Sequence, residues 1–186
     1  RYAEAAVSFS KAYGMFEEPS MKEQCLFKMG DAYFANSQFK LAIETYKRAM
    51  GEFPGSKFMP NALYQSGESM AGDGDLNSAE SMFSELVKKY PGSPEAEEGL
   101  LRVAEIKKEE GSLTDAIEAF TSVINTYSNG AHIAEAYHGR GLVLHRLYRF
   151  REALRDFERV VSSYPDSKVA EQAYFMRGLC FYGLWK

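Results

Sequence analysis

The stretch from Ala153 to Ser167, Ala-Leu-Arg-Asp-Phe-Glu-Arg-Val-Val-Ser-Ser-Tyr-Pro-Asp-Ser, recurs along the chain at an interval of 37 residues. Counting back by that interval, Tyr164 is preceded by Tyr127, Tyr90, Phe53 and Phe16, and Phe157 by Phe120, Phe83, Tyr46 and Phe9. Ala153 is preceded in the same way by Ala116, Ala79, Ala42 and Ala5. Three columns in phase mark an array of one supersecondary unit, stacked because no single unit buries its own apolar face.

Within a unit the apolar residues fall at helical spacing. Leu26, Gly30 and Tyr33 share one face of a first helix, Asn36-Ser37 is the turn, and Phe39, Ala42, Tyr46, Ala49 and Phe53 lie on a second helix. The small residues at 30, 67, 104, 141 and 178 let two helices cross closely, and the rings of Tyr46, Phe83, Phe120 and Phe157 fill the wedge beside each crossing. The expected fold is all-α, an array of about ten helices. Residues 1–16 form the second helix of a truncated repeat, 17–53, 54–90, 91–127 and 128–164 are complete repeats, and 165–186 supply the first helix of another. Both ends therefore fall inside a repeat, and the chain reads as a piece of a longer protein. The face around Phe181 and Trp185 is expected to lack a cover and to meet another chain.

Local signals agree with this division. Pro54-Gly55-Ser56 ends a helix, with Gly55 expected to supply a positive φ. Pro60 falls in the first turn of the next helix, and Ser93 caps a helix that opens on Pro94. Glu95, Glu97 and Glu98 then complement that helix's dipole. Lys107 interrupts the apolar column of Tyr33, Met70 and Leu144, its stem packing while its ammonium reaches outward.

Residues Leu26, Gly30, Tyr33, Ala42, Tyr46, Ala49 and Pro54 carry a resemblance to the tetratricopeptide repeat, and it recurs over the whole chain. The three extra residues around Tyr-Pro-Gly-Ser and Tyr-Pro-Asp-Ser resemble the lengthened repeats of bacterial cell-envelope proteins of the barrel-assembly lipoprotein and Tol-Pal coordinator type. The resemblance implies a right-handed superhelical solenoid whose first helices line an inner, concave surface that binds protein segments. It places the chain in the periplasm or cell envelope, the alternative being the cytoplasm.

The inner columns lie one position off the core columns. They hold Phe27, Tyr64, Leu101, His138 and Phe175, then Asp31, Glu68 and Glu105, then Phe34, His145 and Tyr182. These aromatics either form a binding groove or pack between neighbouring first helices, and position alone does not decide between the two. Chaperone adaptors of the resembled family grip a C-terminal carboxylate with lysine and asparagine. The corresponding Phe27 and Asp31, and Tyr64 and Glu68, would repel one.

No chemistry-bearing constellation stands out. His138 and His145 are seven apart on one helix, about 10 Å along the axis, too far for one metal ion. Asp73-Gly-Asp75-Leu-Asn77 lacks the glycine and the bidentate glutamate of a calcium loop, since Ser78 and Ser84 stand there. Cys25 and Cys180 lie four repeats apart and read as small buried hydrophobes. Residues 91–127 hold eight acidic and three basic side chains, and 128–164 four and six. The arginines at 146, 149, 151, 155 and 159 are interleaved with Glu152, Asp156 and Glu158, which favours a salt-bridged solvent face over a nucleic-acid surface. The expectation is a scaffold without enzymatic activity, cofactor or metal, taking protein or peptide partners and able to self-associate through its ends. Nucleic acid is not an expected partner, and a membrane is met only through other parts of the parent protein. A structural spacer is the alternative, and an anion-binding repeat a third reading.

Overall fold

A computed structural model describes residues 1–185. These form ten α-helices and, among the described residues, no strand: α1 (Tyr2–Met15), α2 (Pro19–Ala35), α3 (Phe39–Glu52), α4 (Met59–Gly72), α5 (Leu76–Lys89), α6 (Pro94–Glu109), α7 (Leu113–Thr126), α8 (Ile133–Arg146), α9 (Phe150–Ser163) and α10 (Ala170–Trp185). The chain divides into two compact units, Arg1–Ala96 and Glu97–Lys186. Among the described residues no helix is long and apolar enough to cross a membrane.

In the first unit each helix from α1 to α5 packs on the next, and α2 also meets α4. The reason is the steric device expected from the sequence. Tyr46 of α3 and Phe83 of α5 are wholly buried. A Cβ added to Gly30 would lie 2.6 Å from the Tyr46 ring, and one added to Gly67 2.6 Å from the Phe83 ring. Glycine is needed at both seats because the ring occupies the space of a side chain. The buried Tyr46 hydroxyl donates to Asp31 Oδ1 at 2.7 Å, so the one polar atom of this wedge is satisfied.

In the second unit α7 packs on α8, α8 on α9 and α9 on α10, with α8 also touching α10. Phe120 and Phe157 are the buried wedges. Phe157 lies against Gly141, where a Cβ would approach to 2.8 Å, and Phe120 against Gly139, where it would approach to 2.5 Å.

Helix ends follow local chemistry. Pro19 and Pro60 sit in the first turns of α2 and α4. Pro94 opens α6 and the Ala96 N–H donates to Ser93 Oγ at 3.2 Å, while Asp75 accepts from the Ser78 N–H at the start of α5. Positive φ is found at Ser37, Gly74, Gly111 and Tyr148, again 37 residues apart, in the turn inside each hairpin. Gly55, expected to take a positive φ, does not. The chain leaves α3 through Phe53 at φ −128° and ψ 63°, so the longer connection there needs no left-handed residue.

Two acidic residues depart from their expected roles. Glu97 turns away from its own helix end: its carboxylate accepts the backbone N–H of Ala131 at 3.1 Å and of His132 at 2.7 Å, just ahead of α8. Asp156 is not part of the solvent face with the arginines but is 5% exposed, held by Arg140 of α8. Lys107 behaves as expected, partly buried with its ammonium 3.7 Å from Glu110. Cys25 and Cys180 are free and buried, and burial pushes the Cys180 thiol up to about 11. Phe181 and Trp185 on α10 are exposed.

Candidate partner-binding surface

The inner-column residues meet three different fates. In the first unit Phe27 is only 4% exposed, its ring 5.4 Å from that of Phe58 in the connection before α4. Phe34 is half-buried against Phe39, and Tyr64 is half-buried with its ring 5.6 Å from Phe83. Asp31 is engaged by Tyr46 and by Lys28 Nζ at 2.8 Å, and Glu68 is half-buried. Phe27 is thus closed by its neighbours, and Phe34 and Tyr64 are covered in part.

In the second unit Leu101 is buried and Glu105 is paired with Lys108. His138 is 8% exposed, its ring edge-on to Phe157 at 5.8 Å, and its Nε2 has no hydrogen-bond partner. Burial first, and the charge of Lys108 second, hold this imidazole below the usual histidine range, so it is neutral at neutral pH. His145 is half-buried against Phe150. The column opens at α10, where Phe175 is 68% and Tyr182 57% exposed.

Phe175 and His138 are brought together across a groove between α8 and α10. Its lining is Leu142, Met176, Glu171 and Gln172 besides those two, around a space of about 380 Å³. Glu171, Gln172 and Met176 lie outside the inner columns read from the sequence. They sit within one helical turn of Phe175, which is the signal that they share its side of α10.

The sequence of this chain matches a family model described as an outer membrane lipoprotein, YfiO, over residues 57–177. The chain belongs to the YfiO family. A tetratricopeptide-repeat model matches residues 24–56 of this YfiO-family chain, so its all-α hairpins are those of a tetratricopeptide solenoid. No curated protein matches it. Among solved structures it is similar to MamA, with 22% identity, TM-score 0.69, and coverage of 87% of this chain and 81% of that one. It is also similar to BtubC from P. vanneervenii, at 12% identity and TM-score 0.76, covering 98% of this chain and 84% of that one. A third is YrrB, described as a tetratricopeptide-repeat protein with an unusual peptide-binding site, at 17% identity and TM-score 0.66, covering 93% of this chain and 83% of that one. At these identities the likeness is one of fold.

The YfiO-family chain has a second concavity in the same unit, about 310 Å³, lined by Ile117, Thr121, Arg140, Leu144, Arg149, Glu152, Arg155 and Asp156. Arg140 grips Asp156 through two bonds and donates to Thr121 Oγ1 at 3.0 Å. Arg149 makes two 2.7 Å bonds to Glu152. Most of the cationic capacity here is spent inside the chain, which disfavours it as an anion site.

Proposed function

We propose that this chain is a non-catalytic scaffold that holds a segment of a partner protein on its first-helix face, at the groove between α8 and α10, within a bacterial envelope assembly. One observation carries the reading. The first-helix face carries a preformed hollow of about 380 Å³ between α8 and α10, lined by Leu142, Phe175 and Met176 beside His138. A packed helix that presents an aromatic side chain next to a preformed hollow loses little entropy on binding. Tetratricopeptide proteins in general mediate protein–protein contacts, and the YfiO match supports the envelope setting.

The test is site-specific photo-crosslinking in bacterial cells that express this protein, with the reactive residue placed at Phe175, at Tyr182 or at Arg155. Adducts at the first two positions and not at the third support the reading. Adducts at Arg155 alone move recognition to the arginine-lined concavity, and adducts at none leave the spacer role in its place.

A further inference from the structure

The turn between α8 and α9 breaks two local rules at once. Tyr148 holds φ 59°, in the left-handed region where a Cβ crowds the backbone and which bulky residues rarely adopt. Its ring meets that of Phe150 edge-on at 5.9 Å, yet the residue is 80% exposed. Arg151 stands in the first turn of α9, the positive end of the helix dipole, where an acid is favoured over a cation. It has no ion pair among the described residues, and neither has Arg146 at the end of α8, whereas Arg149 is held by Glu152. The fold gains little from the strained tyrosine or from the Arg151 charge. Departures of this kind belong where residues serve something outside the fold.

Together these residues present an apolar pair ringed by cations. Leu147 and Tyr148 are exposed, and so are Arg146, Arg149 and Arg151 around them. At the other hairpin tips the places of Leu147 and Tyr148 are taken by Asn36 and Ser37, Asp73 and Gly74, and Glu110 and Gly111, with no arginine beside them. Those three tips are exposed although further helices follow each of them, so exposure along this edge is a property of the turn itself. The preceding tip carries Glu109 and Glu110, which confines the cationic surface to this one turn.

We propose that the α8–α9 turn is a docking tip for an anionic lipid surface. Leu147 and Tyr148 enter the headgroup layer, where tyrosine rings are favoured, and the three guanidiniums meet lipid phosphates. An aliphatic side chain at an exposed tip suits a surface with an apolar interior, whereas a nucleic-acid backbone offers Leu147 no such contact. The inference rests on the proposed envelope setting for access to a bilayer and is separate from the groove between α8 and α10. It gives this chain a membrane contact of its own, beside those the sequence analysis left to other parts of the protein.

The experiment is flotation with vesicles of phosphatidylethanolamine and phosphatidylglycerol, and with vesicles of phosphatidylcholine alone. The protein is expected to float with the first and not with the second, and to be released as NaCl rises from about 50 to 300 mM. Arg146→Gln combined with Arg151→Gln lowers the partition coefficient about thirtyfold, from the worth of each charge near an anionic surface. Tyr148→Gly lowers it several-fold while the melting temperature holds or rises, because glycine takes this φ freely. Lost docking is thereby separated from lost folding, and Tyr148→Ser, the residue of the first tip, serves if glycine loosens the turn. No flotation, or flotation that either substitution leaves unchanged, overturns the proposal. So does binding to single-stranded DNA that outlasts vesicle binding as salt is raised and is lost in the same variants, which assigns the turn to nucleic acid. None of these outcomes touches the partner-binding face, which crosslinking at Phe175 and Tyr182 reads separately.

Discussion

The Arg140 guanidinium holds both carboxylate oxygens of Asp156, at 2.8 and 2.7 Å, and spends a third donor on Thr121 of α7. Three helices of the second unit are thereby joined through one side chain. Asp156→Ala strands the guanidinium where water reaches it poorly and should lower stability by about 3 kcal/mol, read from urea unfolding. Arg140→Lys keeps the charge but loses the paired geometry, and should cost about 1 to 2 kcal/mol.

Gly67 and Gly178 occupy the same column and should respond oppositely to alanine. At Gly67 the new methyl meets the Phe83 ring at 2.6 Å, and overpacking by about 1 to 3 kcal/mol exceeds the helix-propensity gain of about 1 kcal/mol. At Gly178 nothing lies within 4 Å. Gly178→Ala should therefore raise the melting temperature where Gly67→Ala lowers it.

His138 gives a pH dependence of defined sign. Its folded-state affinity for protons is depressed by burial and by Lys108, so between its folded and unfolded pKa values the unfolded chain binds more protons. Its contribution to stability is complete above about pH 6.5, the unfolded value, and declines as the pH falls below it. The urea midpoint should drop between pH 7.5 and 5.5, and by less in His138→Gln. Glu105 and Glu135, which pull the other way, moderate the slope.

The Glu97 carboxylate accepts two backbone N–H groups ahead of α8. Glu97→Ala should cost about 1 to 3 kcal/mol because those donors lose their acceptor in a part-buried place. Glu97→Gln, with one acceptor oxygen left, should lose less. Faster amide exchange at Ala131 and His132 would locate the effect.

The buried wedges were legible in the sequence because they recur: Tyr46, Phe83, Phe120 and Phe157 fall in one column and are all fully buried. The state of the inner columns was not, because what covers them does not recur with the same side chain. Phe27 is closed by Phe58, whose counterpart 37 residues on is Glu95. The Arg140–Asp156 pair was overlooked for a related reason. Asp156 stands in a column otherwise free of charge, after Ala119 and Met82, and Arg140 follows the uncharged Val103 and Ser66 in a column whose next member is Arg177. Two opposite charges entering such columns in one repeat was the available signal.

The carboxylate of Glu97 also bears on how this chain may be cut. The period puts a seam between Tyr127 and Ser128, but the tie from Glu97 to Ala131 and His132 crosses it, as does the seating of Phe120 against Gly139. A fragment that starts at 128 loses both and takes α8 out uncapped, whereas one that starts before α6 carries them along. For expression, grafting or repeat exchange, the chain is best left uncut between Tyr127 and Ser128.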